Sequence, residues 1–444
     1  MKQFLLGTAI LAVLTAAAHA ADMPVKAPPP TPVSYTWTGA YIGAYFGESI
    51  GSAELRTPSL TSGIADLNQA GFTAGGTVGF NWQFDPRFLI GLEADFGTAG
   101  LHRSVFQWND FAQLQEKADW YGTVRARFGY VTGPSLIYVT GGGVVMHIRD
   151  DFGGTATAGP TQNSEDRTGW TAGGGIETKL SRSWSAKTEY LYMHVGSSTF
   201  FSNVFGGPFV TVFDHNFHVI KTGLNYKLGE PFLDGLPLAG TSPMLPSNHN
   251  WSGFYLGANI SGGISNVRSI GGGGTLGKNS EEGVNGTGSG GGALAGYNYV
   301  LGKTVLGTWF VGVEADYDYL GVKGSQRDWN DFVRFADKTT WYGTARVRVG
   351  TSTGPALLYF TGGGAWVHLT DTFALIGATS QATRTEGGWT FGGGTEVALD
   401  PRWSARIESL YIDAGHNNLA VGAAHGDFKD RFTVVRVGVS AKIN

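Results

Sequence analysis

The chain has 444 residues, of which 70 are glycine, 13% are aromatic and only 15% are charged, and it contains no cysteine. The glycines follow no Gly-x-y period, which excludes collagen, and 42% hydrophobic residues are too many for a disordered chain. A net charge of −4 offers no basic field for nucleic acid, and the lack of cysteine excludes a disulfide framework. The composition is therefore best explained by an all-β chain, in which glycines allow many turns and a close approach between strands.

The N-terminus has the three parts of a secretory signal peptide. Lys2 supplies the positive charge, an apolar run extends from Phe4 to Ala17, and Ala18-His19-Ala20 matches an A-x-A cleavage signal. We therefore predict a signal peptide over residues 1–20, with cleavage after Ala20. No later stretch approaches the ~18 continuous apolar residues that a helical span needs. An exported protein without membrane helices is expected.

After a Pro-rich lead-in at 21–36, strand-like segments follow one another through the first half of the chain. Eight segments are predicted, at 37–47, 70–83, 87–98, 118–131, 135–148, 168–180, 184–196 and 217–228. Short turns between them alternate with long polar stretches, which we predict to be loops, at 48–69, 99–117, 149–167 and 197–216. This asymmetry is typical of outer-membrane barrels, with short turns in the periplasm and long loops outside.

The segment from Trp120 to Tyr130 shows the strand pattern most clearly. Tyr121, Thr123, Arg125 and Arg127 share one face, whereas the other face is apolar and has an aromatic residue at each end. Such a face, about ten residues long, is typical of a strand that crosses lipid between two aromatic girdles. A charge on the lipid face costs about 2–4 kcal/mol at mid-bilayer, so the charged face is predicted to point into the lumen.

The whole arrangement then occurs a second time. Residues 229–249 are rich in proline and are predicted to be a linker. Beyond them, the segment from Trp251 to Gly257 repeats the pattern of Trp37 to Gly43, and the segment from Trp341 to Gly350 repeats the central strand. The chain is therefore predicted to hold two homologous repeats, at 37–228 and 250–444.

Four motifs carry a family resemblance. They are the opening Trp-x-Gly-x-Tyr-x-Gly, the Gly-x-Glu-x-Asp strand, the Trp-Tyr-Gly-x-x-Arg-x-Arg-x-Gly strand and the Tyr-x-x-Gly-Gly-Gly strand. Together they resemble the porin-family outer-membrane β-barrel proteins of alphaproteobacteria, which are small OmpA-type surface antigens. The resemblance covers each repeat almost end to end. Two departures are the presence of two repeats and a C-terminal strand that ends in Ser440-Ala-Lys-Ile-Asn444 without a final aromatic residue.

The resemblance implies an eight-stranded barrel in the outer membrane of a Gram-negative cell, abundant in the envelope and usually without known catalysis. It also implies outer-membrane lipid and lipopolysaccharide as surroundings, and periplasmic chaperones and the barrel-insertion machinery as partners in assembly. We expect no nucleic-acid partner. A homo-oligomer stays an open alternative.

The predicted lumen faces carry nearly balanced charges in each repeat. The residues are Glu93, Asp95, Arg125, Arg127, Glu177, Lys187, Glu189 and Lys221 in the first repeat, and Glu314, Asp316, Arg346, Arg348, Glu396, Arg406, Glu408 and Arg436 in the second. An eight-stranded barrel has room only for its own side chains, so charges inside it must be paired. We favour a salt-bridge network that plugs the lumen over a polar conduit or selectivity ring, and over a catalytic carboxylate pair.

No catalytic, cofactor-binding or metal site is predicted. His147 and His368 occupy matching positions, but no Ser stands at a repeated position beside them, so we expect girdle or solvated histidines rather than a hydrolytic triad. There is no His-x-x-x-His pair for zinc. The Gly-Gly-Gly runs lack the Lys-Ser/Thr end of a phosphate loop and are interpreted as strand glycines.

The combined prediction is an all-β, transmembrane antiparallel β-barrel protein with sixteen strands, located in the outer membrane. Two tandem eight-stranded barrels with a structural and surface-presenting role are favoured. The alternative is one merged sixteen-stranded barrel acting as a diffusion porin for small polar solutes. A third alternative is an outer-membrane lipid-modifying enzyme. What the loops bind is left open.

Overall fold

The computed structural model describes residues 36–56, 64–107, 112–153, 161–204, 207–230, 250–272, 280–304, 307–327, 333–352, 356–375 and 377–443. The predicted signal peptide with its cleavage site after Ala20, most of the lead-in at 21–36 and nearly all of the linker at 229–249 lie outside these residues. No helix among the described residues is both long and apolar enough to cross a membrane.

Sixteen antiparallel strands make up the fold. The first eight are β1 (Gly39–Arg56), β2 (Ile64–Asp85), β3 (Phe88–Gln107), β4 (Ala112–Thr132), β5 (Ser135–Gly153), β6 (Thr161–Lys179), β7 (Trp184–Val204) and β8 (Gly207–Lys227). The second eight are β9 (Gly253–Gly272), β10 (Ser280–Thr304), β11 (Gly307–Arg327), β12 (Val333–Ser352), β13 (Ala356–Leu375), β14 (Ala378–Ala398), β15 (Trp403–Val421) and β16 (Ala424–Ile443).

Each set of eight strands closes on itself. β1 pairs with β8 from Tyr41 opposite Lys227 to Arg56 opposite Val212, and β9 pairs with β16 from Phe254 opposite Ile443. The prediction of two tandem eight-stranded barrels is thereby confirmed, and the alternative of one merged sixteen-stranded barrel is wrong. A merged barrel needs β8 to pair with β9, but the backbone groups of β8 are bonded to β1 and β7.

The strands are longer than the sequence analysis predicted. β1 and β2 stay in register from Gly39 opposite Asn81 as far as Arg56 opposite Ile64, so most of the predicted loop at 48–69 is strand. The predicted loops at 99–117, 149–167 and 197–216 are likewise strand over most of their length. The reason is that ladder hydrogen bonds continue beyond the lipid, where both faces of a strand can be polar and the apolar alternation disappears.

The two faces of each strand are sorted as the alternation predicts. On β4, Arg125 and Arg127 are 1% and 2% exposed, whereas Val124 and Phe128 on the opposite face are 67% and 50% exposed. The outward apolar side chains form a belt that stays exposed around much of each barrel, whereas the outward-facing Ile176, Val397 and Ile407 pack together and are buried. A belt of this kind is the surface that a barrel presents to lipid.

Aromatic girdles bound the belt at both ends. At the outer end Trp120 stacks on His147 and Trp341 stacks on His368, with ring centroids 6.0 and 5.4 Å apart. At the periplasmic end Phe88 packs against Phe128 and Tyr130. The two histidines therefore belong to the outer girdle, in matching places on the two barrels.

Candidate functional site

The lumen charges of the first barrel meet in one network in its middle. Arg125 donates to Glu93 at 2.6 Å and to Glu189 at 2.8 Å, and it also contacts Asp95. Arg127 reaches Glu177 at 3.0 Å. Every one of these carboxylates and guanidiniums comes from the inward face of β3, β4, β6 or β7, because the alternation of each strand brings its charged residues to the same side.

The two lysines complete this network. Lys187 Nζ lies 2.8 Å from Glu93 Oε2, and Lys221 Nζ lies 2.5 Å from Asp95 Oδ2 and 3.0 Å from Glu189 Oε2. The four acidic and four basic side chains balance, and nearly all of them have no exposed surface. Neutral groups take up further lone pairs: Tyr41 donates to Glu93 at 2.6 Å, and Ser185 donates to Glu177 at 2.6 Å.

The second barrel repeats the network with arginines in place of lysines. Arg346 contacts Glu314, Asp316 and Glu408 at 2.5, 2.8 and 2.6 Å. Arg348 and Arg406 both bind Glu314 and Glu396. Arg436 contacts Glu408 at 2.8 Å and Asp316 at 2.9 Å. All sixteen residues singled out from the sequence thus lie inside the barrels, in two separate sets of eight.

One member of the second network escaped the sequence analysis. Asp318 on β11 is fully buried and accepts from Arg436 at 3.2 Å. The signal was present, because Asp318 continues the inward alternation of Glu314 and Asp316 by one more step. It was missed because the matching residue of the first repeat is Gly97, so the comparison of repeats gave no support.

Apolar side chains line the same lumen on either side of the charged layer. Toward the outside of the first barrel, Leu101, Tyr121, Met146, Met193 and Phe217 pack together and are all buried. Toward the periplasm, Leu89, Leu136 and Tyr138 pack with Trp37. The second barrel has equivalent clusters around Tyr342 and around Phe310. Each charged layer therefore lies between two apolar layers, an arrangement that the polar-lumen prediction did not include.

The outer girdle of the first barrel holds a second group with chemical potential. His147 Nδ1 lies 2.7 Å from Asp166 Oδ1, and Ser164 Oγ lies 3.2 Å from His147 Nε2. On β6, Asp166 is the direct cross-strand partner of His147, and Ser164 is the diagonal neighbour of His147. In the second barrel, Thr385 Oγ1 lies 3.0 Å from His368 Nδ1. Sequence reasoning missed Ser164 and Asp166 because they fall in a stretch predicted to be loop.

A family model described as "Outer membrane protein beta-barrel domain" matches the chain twice, over residues 8–227 and 236–442. The first match contains the first closed barrel, and the second match covers the second barrel except for the last residue of β16.

Several relatives of known location are similar to one half of the chain. A 31 kDa outer-membrane immunogenic protein of Brucella melitensis is 34% identical over 245 residues, which is 51% of this chain and 100% of the relative. A 25 kDa outer-membrane immunogenic protein of Brucella abortus is 31% identical over 45% of this chain and 87% of its own length. A 22 kDa outer membrane protein of Rhizobium leguminosarum is 26% identical over 43% and 78%.

Solved structures are similar at much lower identity. The attachment invasion locus protein Ail of Yersinia pestis is 12% identical, with a TM-score of 0.24 over 43% of this chain and 99% of that chain. Neisserial surface protein A is 16% identical, with a TM-score of 0.25 over 43% and 98%.

Proposed function

Because the chain belongs to the outer membrane protein beta-barrel domain family, we propose that this outer-membrane protein has a structural and surface-presenting role, with each lumen plugged by paired charges. The observation that carries the proposal is the cross-section of the barrels. Four carboxylates and four cations fill the middle of the first barrel with almost no exposed surface, and apolar layers pack above and below them. An eight-stranded barrel has no interior space beyond what such side chains occupy.

The proposal extends to export, assembly and surroundings. The predicted signal peptide directs the chain to the periplasm, and the end of β8 and the start of β9 both face the periplasm, since an even number of strands returns the chain there. Outer-membrane lipid and lipopolysaccharide contact the exposed belt, which includes Leu92, Phe96 and Val124 at 63–67% exposure. Periplasmic chaperones and the barrel-insertion machinery act as partners during assembly.

Single-channel recording of the refolded full-length protein in a planar bilayer tests the plugged lumen. We expect no stable steps, or only small flickering ones, because opening a path requires several buried ion pairs to separate. A general diffusion porin inserted in the same bilayer is the positive control. Large, stable steps on the nanosiemens scale would contradict the proposal and would make the inward charges pore-lining groups.

A second candidate function, ester hydrolysis at the outer leaflet, is favoured by the contacts of His147 with Ser164 and Asp166. In such a site Asp166 orients the imidazole, and His147 Nε2 takes the proton of Ser164, whose Oγ attacks an ester carbonyl. The ester C–O bond then breaks, the imidazolium gives its proton to the leaving alcohol, and water hydrolyses the acyl-serine. Trp120 places this group at the girdle, at the depth of lipid ester bonds.

Hydrolysis of a long-chain fluorogenic ester by the refolded protein in micelles separates the two candidates. A non-enzymatic protein gives no more product than micelles alone. Turnover that disappears in both His147→Ala and Ser164→Ala, but persists in the matched variant His368→Ala, would establish the hydrolytic function instead.

A further inference from the structure

The outer mouth of the second barrel encloses three aspartates. Asp337 on β12, Asp371 on β13 and Asp430 on β16 are at most 2% exposed. One carboxylate oxygen from each lies within 4.8 Å of the others. The group lies beyond the outer girdle, since Asp337 precedes Trp341 and Asp371 follows His368. Apolar clusters around Leu369 and around Phe373 pack near it in the barrel interior.

Hydrogen bonds from neighbouring side chains reach only some of the carboxylate oxygens in this acidic group. Arg384 on β14 donates from Nη2 to Asp430 Oδ2 at 2.8 Å and from Nη1 to Asp371 Oδ2, and Asn417 donates to the same Asp371 oxygen at 3.3 Å. At normal hydrogen-bond geometry, both oxygens of Asp337, together with Oδ1 of Asp371 and of Asp430, have no partner among the described residues, and only weak contacts from the Ser265 hydroxyl and the Lys338 backbone N–H reach Asp337. Four buried carboxylate oxygens are thus left without a well-placed donor, which is costly in a site of low dielectric constant.

The charges do not balance either. Three ionised aspartates against Arg384 leave two negative charges, and Arg384 also donates to Glu386 at 2.7 Å. Like charges this close together in a buried group repel one another, so an additional cation would stabilise all three carboxylates.

The first barrel carries a related group that supplies its own cation. Glu116, Asp150 and His215 take the positions of Asp337, Asp371 and Asp430. His215 Nδ1 lies 3.1 Å from Glu116 Oε1, and its Nε2 lies 3.6 Å from Asp150 Oδ2. A protonated imidazole between two carboxylates neutralises much of their charge. The replacement of a histidine by Asp430 removes that cation from the second barrel.

We propose that Asp337, Asp371 and Asp430 bind one divalent metal cation, and that Ca²⁺ is the ion that fits best. All donors are carboxylate oxygens, which hard cations prefer and which give zinc or copper no nitrogen or sulfur. Ca²⁺ accepts six to eight oxygen ligands in a flexible geometry, which suits carboxylates held by separate hairpins, whereas Mg²⁺ requires a near-ideal octahedron. A charge of +2 restores neutrality together with Arg384.

The site joins three outer hairpins. Asp337 belongs to the hairpin of β11 and β12, Asp371 and Arg384 belong to that of β13 and β14, and Asp430 belongs to that of β15 and β16. The bound ion ties the outer ends of these strands together.

Isothermal titration calorimetry with CaCl₂ on the refolded, chelator-treated, full-length protein in detergent tests the proposal, with MgCl₂ in parallel. We expect one Ca²⁺ per chain and weaker binding of Mg²⁺. Asp337→Asn keeps the shape of the side chain but removes the carboxylate without partners, and it should weaken Ca²⁺ binding at least tenfold. Glu116→Gln, the matched change in the first barrel, should leave it unaltered.

Migration on unheated gels checks that each variant is folded. If Asp337→Asn does not fold, Asp430→His, which copies the group of the first barrel, provides the second variant and should also lose the site. The proposal is overturned if the wild-type protein binds neither ion at millimolar concentration, or if folded Asp337→Asn and Asp430→His bind Ca²⁺ as the wild type does. Equal loss in Glu116→Gln would also overturn it, because the ion would then not be specific to the second barrel.

Discussion

Arg436 and Asp318 form an ion pair that exists only in the second barrel, with 3.2 Å between Nη1 and Oδ2. The first barrel has Lys221 and Gly97 at the corresponding places. The ammonium of Lys221 contacts Asp95 and Glu189, whereas the guanidinium of Arg436 contacts Asp316 and Glu408 and has one nitrogen left for Asp318. The charged network of the second barrel thus includes one additional buried carboxylate, Asp318, and an arginine with more hydrogen-bond donors than the lysine at the same place in the first barrel.

Replacing Arg436 by Lys tests this dependence. The charge is kept, but Asp318 loses its hydrogen-bonded cation, so the free energy of unfolding should fall by about 1–3 kcal/mol. Equilibrium unfolding in guanidinium chloride, followed by tryptophan fluorescence in lipid vesicles, measures the change.

The matched control is the double variant Arg436→Lys with Asp318→Gly, which reproduces the pair of the first barrel. Most of the lost stability should return, so the two changes should be non-additive by about 0.5–3 kcal/mol. Additive effects would mean that Asp318 does not depend on the guanidinium.

Val124 tests where the lipid lies. This side chain is 67% exposed in the middle of the apolar belt, so Val124→Arg should lower the free energy of unfolding by about 2–4 kcal/mol in vesicles. Thr98→Arg, opposite the girdle residue Trp120, should cost about 0–1 kcal/mol because the charge reaches the interface. Equal costs at both positions would argue against the assigned membrane boundaries.

Each barrel should fold without the other. All eight strands of the first barrel have partners on both sides within the same set, so residues 21–230 expressed alone should refold and migrate faster on unheated than on heated gels. Residues 250–444 should behave in the same way. Failure of the first fragment to shift, while the full-length protein does, would show that closure depends on the second repeat.

The glycine run of β5 contains one position that cannot accept a side chain. A Cβ on Gly142 would lie 2.1 Å from the carbonyl oxygen of Val124 on β4, whereas a Cβ on Gly143 would have no atom nearer than 3.9 Å. Gly142→Ala should therefore reduce the free energy of unfolding by about 1–3 kcal/mol, and Gly143→Ala should have little effect. Guanidinium unfolding of both variants checks the contrast; similar values would contradict it.

The sequence alone determined the fold class, the location and the orientation of the strands. Alternation with aromatic ends indicates which face meets lipid, and the cost of a charge in lipid directs Arg125 and Glu93 inward whatever the strands pair with. The duplication was readable because the same residues occur twice. The cost of burying a charge in lipid acts on each strand separately, so it determines the order of polar and apolar residues along that strand, and this order can be read from the sequence.

Only the tertiary structure decided how the barrels close and which residues from different strands come together. β8 pairs with β1 through backbone groups that every residue has, so no side-chain pattern distinguishes that partner from β9. The extensions of the strands at their outer ends were not predicted for the same reason, because backbone pairing persists where the apolar alternation of the side chains has ended. Asp337 and Asp371 face each other on the neighbouring strands β12 and β13, but Asp430 on β16 comes close to them only in the closed barrel, so the group depends on that three-dimensional arrangement.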